Sequence, residues 1–404
     1  MSKTDHFKVY LKEIQNIHLS GEATEPSYYS TLKKFLEESA KYNGKSIQVI
    51  INPKKTEGGL PDYLLKTDGK IVGYVEAKDI LVRELYEISK TDQLKRYRSC
   101  LPNLLLTNFL EFILFRDGVL KEHIRICDSE SLIRGQRIIP NNIEEFNETL
   151  NVFLSYSMPT IYRARPLAIE LAKKTILLNN SILEELNSGN EDLLGIFNAF
   201  RAELIKSLTM ENFSDLYSQT ITYGLFFARI EAKNQLFTRK TAYSFIPSTM
   251  PLLQNLFYVL TGPNLPKSLD WILDDIVTLL TNTNLTSILK DLHTIIWTED
   301  PVVHFYETFL QEYNPEERQR RGVYYTPAPV VSYIISSIHE ILKKEFNKKE
   351  GLADEDVTLL DPAAGTLTFP TTAIRLLYDE LKKNNREGMF NSLVRQHITE
   401  VLRF

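Results

Sequence analysis

Between residues 47 and 127 the chain alternates short apolar runs with glycine-bearing breaks, and beyond residue 165 that texture is gone. The runs cover residues 47–51, 63–65, 71–75, 104–106, 112–115 and 124–127, with Gly58-Gly59, Asp68-Gly69 and Asp117-Gly118 between them. Runs this short, bounded by turn signals, predict strands rather than helices. Asp68-Gly69 joins two of them and predicts a hairpin, since both residues tolerate the left-handed backbone of a tight turn. Helical spacing precedes the runs over residues 6–18 and 27–42, where Tyr28, Leu32, Phe35 and Leu36 share a face. A helix interrupts them near residues 91–100. The pattern predicts an α/β domain ending between residues 135 and 160.

Long helical patterns take over at residues 167–186, 193–208 and 272–292, with breaks at Pro247, Pro251, Pro263 and Pro266. They predict an all-α connector. It carries no G-x-x-x-x-G-K-[ST] phosphate loop, which argues against a motor ATPase. From Val302 onward come an apolar helix (330–342), a charged linker (343–356), a strand (357–360), a turn (361–366) and a helix holding Ile374, Leu376 and Leu377. Strand, glycine turn, helix is how a doubly wound α/β sheet begins. A chain of 404 residues is too long for one ordinary domain. The expected division is residues 1–160, 161–300 and 301–404, the last incomplete.

A content of 43% apolar and 25% charged residues is that of a globular protein. No apolar run is long enough to cross a bilayer. The polar start, Met1-Ser2-Lys3-Thr4-Asp5-His6, lacks the apolar core of a signal peptide. Cys100 and Cys127 form neither a disulfide framework nor a CxxC metal spacing. A reducing, cytoplasmic setting is expected, with no membrane partner. The net charge of −5 provides no general basic field for nucleic acid. Any such contact must use local clusters, such as Lys95-Arg96-Tyr97-Arg98 and Arg318-Gln319-Arg320-Arg321, and such clusters are also ordinary solvated faces.

The residues with the most chemical content are Pro61-Asp62 and, across the expected hairpin, Glu76-Ala77-Lys78. Glu76 and Lys78 are two apart, so on a strand they project from one face while Ala77 turns into the packing. Phosphodiester cleavage needs a nucleophilic water, neutralisation of a phosphate gaining charge, and help for the leaving oxygen. Carboxylates that hold Mg2+ (or Mn2+), leaving sites for water and phosphate, supply much of this. A lysine beside the ion orients the water or stabilises the phosphate charge. The bland alternative is a hairpin carrying a surface Glu-Lys pair.

Taken with Gln93-Leu94-Lys95-Arg96-Tyr97, the run from Leu101 to Phe109 and the strand-like stretch from Glu111 to Gly118, these residues resemble the PD-(D/E)xK nuclease superfamily. The nearest likeness is the N-terminal nuclease of single-chain restriction-modification enzymes of type IIG and type ISP, over residues 20–130. The resemblance implies a restriction-endonuclease-like fold and Mg2+-dependent cleavage of double-stranded DNA. It implies Asp62, Glu76, Lys78 and Gln93 as catalytic residues, with Gln93 and Tyr97 matching a QxxxY helix. Asp62 and Glu76 are the implied metal ligands. Thr24-Glu25-Pro26-Ser27-Tyr28 resembles the start of the family's first helix, which makes Glu25 a third candidate ligand. Its ordinary alternative is a first-turn acid favoured by the helix dipole.

The runs Val323 to Pro327 and Asp361 to Phe369 resemble the first two elements of adenine-N6 DNA methyltransferases, and Phe305 to Leu310 with Tyr313-Asn314-Pro315 resembles their lead-in. This resemblance implies S-adenosylmethionine at Tyr324, Thr326, Pro327, Asp361, Ala363, Gly365, Thr366 and Phe369. A turn of small residues lets the backbone approach such a cofactor closely. Leu367 stands where that family has a second glycine, and Pro370 is a further departure. The Asn/Asp-Pro-Pro-aromatic tetrapeptide that the family applies to a flipped adenine does not occur. The expectation is a methyltransferase domain cut short and inactive in methyl transfer, its remaining methyltransferase or specificity portion being a candidate partner chain.

The leading expectation is thus a restriction-modification polypeptide. The alternative is a non-catalytic DNA-binding, specificity or adaptor protein that keeps a nuclease-like scaffold, since fold does not guarantee chemistry. His304, Trp271 and Trp297 read as packing residues, and Tyr28-Tyr29 as the contact of the first helix with the sheet.

Overall fold

The computed structural model describes residues 3–51, 61–233, 235–247, 254, 257–258, 266–295, 301–315, 326–364 and 367–393. Gly58, Gly59, Pro251, Pro263, Trp297, the basic cluster at 318–321, Val323, Tyr324, Tyr325, Gly365 and Thr366 lie outside the described residues, as does the side chain of His304. The chain forms two compact units, residues 1–288 and 289–404.

The first unit is built on a mixed sheet of six strands. β1 (Gln48–Ile51), β2 (Tyr63–Thr67), β3 (Lys70–Ala77), β4 (Asn103–Thr107), β5 (Glu111–Arg116) and β6 (Val119–Arg125) lie side by side in chain order. Neighbours are antiparallel except β3 and β4. A parallel pair needs a crossover rather than a tight turn. Two helices that follow α1 (Lys3–Leu19) and α2 (Tyr29–Tyr42) supply it, namely α3 (Leu85–Ile88) and α4 (Asp92–Cys100). The two hairpins with two-residue turns, β2–β3 and β5–β6, turn at Asp68-Gly69 (φ 51° and 76°) and Asp117-Gly118 (φ 50° and 75°). Left-handed backbone at both central residues is what a two-residue turn between twisted strands demands.

Helices α1, α2 and α6 (Ile143–Leu154) cover one sheet face, with the short α5 (Ser129–Ile133) preceding α6. Phe7, Phe35, Phe112 and Phe146 meet there edge to face, with centroids 4.9–5.4 Å apart, and Tyr10 stacks on Phe35 at 3.9 Å. Leu65, Val75, Ala77, Leu105 and Leu114 bring the sheet into the same core. Gly73 is in β3 for a steric reason: a Cβ there would lie 2.5 Å from the Phe153 ring.

The helical region that follows comprises α7 (Ala164–Asn187), α8 (Glu191–Glu203), α9 (Met210–Ala232), α10 (Arg239–Ala242), α11 (Lys267–Thr281) and α12 (Leu285–Ile295). Helices α7, α9 and α11 pack on one another, and α11 also lies on β3. Trp271, buried as its sequence setting suggests, meets the Tyr74 ring edge-on at 5.6 Å. The Tyr74 hydroxyl donates to Asp275 Oδ2 (2.7 Å), and the same oxygen is paired with Lys174 of α7. All three side chains are buried, so a polar tie links strand to helices inside the unit.

Some elements differ from expectation. The sixth strand covers Val119–Arg125 rather than 124–127, and of its residues only Ile124 is buried, so there is no apolar alternation to read. The pattern at 272–292 is two helices. Thr283 bridges to Ile161, and Asn284 Oδ1 accepts from the Ser287 N–H (3.0 Å), a cap that starts α12 afresh. The helix expected over 193–208 stops at Glu203. Periodicity did not announce α9, which buries Ser214, Ser218 and Thr222 beside its apolar residues. Residues 357–359 form no strand and Leu360 makes only an isolated bridge. A strand needs a paired neighbour, and the second unit offers none among the described residues.

The second unit contains α13 (Pro301–Tyr313), α14 (Ala328–Glu345), α15 (Thr368–Lys383) and α16 (Phe390–Leu393). Val331 and Ile335 of α14 pack with Leu352 and with Ala373 and Leu377 of α15. His339 Nδ1 accepts from the Leu352 N–H (3.2 Å), which leaves the ring proton on Nε2, 2.9 Å from Glu380 Oε2. No helix of the described residues is long and apolar enough to cross a membrane.

Candidate active site

Asp62 stands immediately before β2, Glu76 is the penultimate residue of β3, and Lys78 follows the strand's end. The β2–β3 register sets Tyr63 against Val75, so the start of one strand faces the end of the other. The Ala77 N–H donates to Asp62 Oδ2 (2.7 Å). The other Asp62 oxygen, Oδ1, accepts from the Tyr29 hydroxyl (2.5 Å), which also lies 2.7 Å from Glu25 Oε1. Glu25 reaches this point from a one-turn 3-10 helix, Glu25–Tyr28, that leads directly into α2. Lys78 Nζ lies 2.5 Å from Glu76 Oε1. Its backbone N–H donates to the Thr107 carbonyl (2.8 Å), extending the parallel β3–β4 ladder one residue past the strand. Ala77 is fully buried in the core below, as the alternation requires.

The site is electrostatically loaded. Glu76 is 3% exposed, and burial, followed by the neighbouring Asp62, pushes its carboxyl up to about 8. Burial also raises Asp62, against the pull of its bonds from Tyr29 and Ala77. Burial lowers Lys78, but Glu76, Asp62 and Glu25 outweigh it and hold the ammonium above its ordinary value. These tendencies oppose one another across the Lys78–Glu76 contact. We assign the charge to Lys78, which is the better solvated partner and faces three carboxylates. Burial, then Asp62, raises Tyr29 far above the usual tyrosine range, so its hydroxyl stays a donor.

Gln93 and Tyr97 lie one turn apart on α4, with Gln93 Nε2 3.4 Å from the Tyr97 hydroxyl. Tyr97 is buried, and after burial the largest influence raising it is Glu76, so α4 brings this ring toward the carboxylates. Gln93 addresses Tyr97 rather than an acid. Tyr29, read from the sequence as a packing residue, is the site residue that sequence reasoning missed. Its signal was present: a buried tyrosine needs a partner for its hydroxyl, and an acid stands four residues before it.

Among the described residues, no group of three or more His, Cys, Asp or Glu side chains is gathered to hold a metal ion. The carboxylate pair Asp62–Glu76 fits one in another way. Glu76 Oε2 is buried and has no hydrogen-bond partner among the described residues. A buried, unsatisfied carboxylate oxygen is well suited to a cation. An all-oxygen donor set suits a hard divalent ion such as Mg2+ or Mn2+.

In the second unit, Thr326 and Pro327 open α14, where the Pro327 carbonyl accepts from the Val330 and Val331 N–H groups (2.8 and 3.1 Å). Asp361 Oδ1 accepts from the Ala363 N–H (3.1 Å), while Oδ2 is buried with no partner among the described residues. Phe369 packs against the α14–α15 cluster. Leu367 has φ 63°, the left-handed conformation that glycine adopts freely and leucine does not.

Residues 298–402 match the family described as N-6 DNA Methylase. No curated protein matches the chain. Among solved structures, the chain is 21% identical to the cryoEM structure of the DrdV–DNA complex, over 94% of this chain and 36% of that one, with a TM-score of 0.37. It is 19% identical to a nuclease-deletion mutant of the type ISP restriction-modification enzyme LlaGI in complex with a DNA substrate mimic, over 64% of this chain and 19% of that one, with a TM-score of 0.38. The chain therefore spans little more than a third of the first of these and about a fifth of the second.

Proposed function

We propose that this chain is part of a restriction-modification enzyme. Residues 1–160 would form a Mg2+-dependent DNA endonuclease of the PD-(D/E)xK kind, 161–300 a helical connector, and 301–404 the beginning of an adenine-N6 DNA methyltransferase domain. The observation that carries the nuclease reading is the meeting of Asp62, Glu76 and Lys78 around a buried, unpartnered Glu76 Oε2. The family match over residues 298–402 supports the methyltransferase reading.

Asp62 and Glu76 would hold the divalent ion, with Glu25 assisting. When bound, such an ion supplies positive charge against the scissile phosphate and makes water a better nucleophile at neutral pH. Lys78, cationic and 20% exposed, is the group able to reach outward to the phosphate or the attacking water while staying tied to Glu76. Gln93 would order the site through Tyr97, whose hydroxyl it meets at 3.4 Å. In the second unit, Thr326, Pro327, Asp361, Ala363 and Phe369, with Tyr324, Gly365 and Thr366, are the residues that would hold S-adenosylmethionine, whose role is to donate the methyl group. The orphaned Asp361 Oδ2 fits a ligand carrying hydrogen-bond donors.

The test is cleavage of double-stranded DNA by the purified chain with Mg2+ and with chelator. Lys78→Ala is expected to lower the rate by about 100-fold or more with the circular dichroism spectrum unchanged. Undiminished cutting by that variant would remove Lys78 from the mechanism. Cutting that persists in chelator would remove the metal.

A further inference from the structure

Tyr29 sits between Glu25 and Asp62, two acids that the sequence puts forward as metal ligands. Its ring is 6% exposed and lies against Tyr63 at 5.1 Å. Its backbone carbonyl accepts from the Tyr63 hydroxyl (3.2 Å). The residue next to Asp62 thus grips Tyr29 from below, and the Tyr29 hydroxyl grips Asp62 from above. With Oδ2 held by the Ala77 N–H and Oδ1 by this hydroxyl, two bonds from different elements orient the Asp62 carboxylate. Each oxygen keeps one lone pair, and the two bonds dictate where it points. Glu25 meets the same hydroxyl at 2.7 Å. A phenol has one hydrogen and here two carboxylate acceptors, so it serves one of them at a time, and the bare Glu76 Oε2 adds to the demand for positive charge in this corner.

We propose that Tyr29 is a positioning residue of the carboxylate site and that Glu25 acts on the divalent ion through it rather than as a direct ligand. The inference rests on the metal-site reading above. The three acids then have different roles. Asp62 and Glu76 bind the ion, and Glu25, as the second acceptor for the Tyr29 hydrogen, influences the ion by way of the hydroxyl that aims Asp62. Loss of a partner of this outer kind weakens metal binding by about 10- to 100-fold.

Mn2+ binding to the full chain, measured by electron paramagnetic resonance without DNA, tests it. Tyr29→Phe keeps the ring and removes only the hydroxyl. It is expected to weaken Mn2+ about tenfold or more, while Glu25→Gln weakens it by less. The double variant Glu25→Gln/Tyr29→Phe is expected to bind no more weakly than Tyr29→Phe alone, because the effect of Glu25 passes through the hydroxyl. In cleavage assays the Mg2+ midpoint of Tyr29→Phe should rise more than its saturated rate falls. Wild-type affinity in Tyr29→Phe, with Asp62→Ala abolishing binding, would overturn the role of Tyr29 and leave the metal site standing. Additive losses in the double variant would make Glu25 a direct ligand and overturn the separation of roles. Absence of Mn2+ binding in the wild-type chain would overturn the metal-site reading itself, and this inference with it. Should Tyr29→Phe unfold, as near- and far-ultraviolet dichroism would reveal, Glu25→Gln decides: a loss as large as that of Asp62→Ala overturns the proposal, and a smaller one supports it.

Discussion

Glu76 brings the consequences of burial to a single carboxyl. Its value is raised from 4.5 to about 8, so in the ion-free protein the folded state holds a proton that the unfolded chain releases. The stability that this carboxyl contributes is then full below 4.5 and is lost as the pH rises toward about 8. A divalent ion must displace that proton, so apparent Mg2+ affinity should climb with pH by at most about tenfold per unit and level off above it. Calorimetric titrations from pH 6 to 9 check this; a flat profile would take Glu76 out of the ligand set. A second residue makes an opposite kind of prediction. Leu367, strained at φ 63°, should give a more stable protein as Leu367→Gly, by up to about 1 kcal/mol read as a rise in melting temperature. The carboxylates and Lys78 were legible in the sequence because their spacing carries chemistry. For Tyr29 the sequence offered only the nearby acid at 25, since nothing in a Tyr-Tyr pair says which hydroxyl will also find an acid thirty-three residues away.

At the scale of elements, β3 is the part least free to change. It pairs antiparallel on one side and parallel on the other, and it meets α6 and α11. Gly73→Ala must push Phe153 aside, at a cost of about 1–3 kcal/mol, which urea denaturation would measure. The Lys174–Asp275 pair is a sharper case, because both groups are buried. Removing the ammonium with Lys174→Met leaves Asp275 buried with only Tyr74 and should lower stability by about 3–5 kcal/mol. Loss of under 1 kcal/mol would mean that water or another cation reaches the acid. The β2–β3 hairpin could be read from the chain because Asp68-Gly69 imposes local backbone geometry; at Asp117-Gly118 only a break was legible, since the strand after it is almost wholly exposed. α9 and the residues at 357–360 could not be read. The first fills much of its buried face with Ser214, Ser218 and Thr222, which dilutes the apolar stripe, and the second depends on pairing that no local pattern encodes.

Taken whole, the chain carries a net charge of −5, so the DNA binding proposed for it would work against the average field. Binding of a short duplex, followed by fluorescence anisotropy, should weaken steeply as salt rises from 50 to about 200 mM; insensitivity to salt would exclude phosphate contact. Tyr74 and Glu76 leave β3 on the same face, two residues apart. The first is fastened by its hydroxyl to an acid among the helices, and the second bears the orphaned oxygen. A slip of one residue would turn both to the wrong side, and the fastening at Tyr74 forbids it. The helices therefore work as a vice on the strand, with only a single pleat of backbone between the jaw and the Glu76 carboxyl to absorb any play.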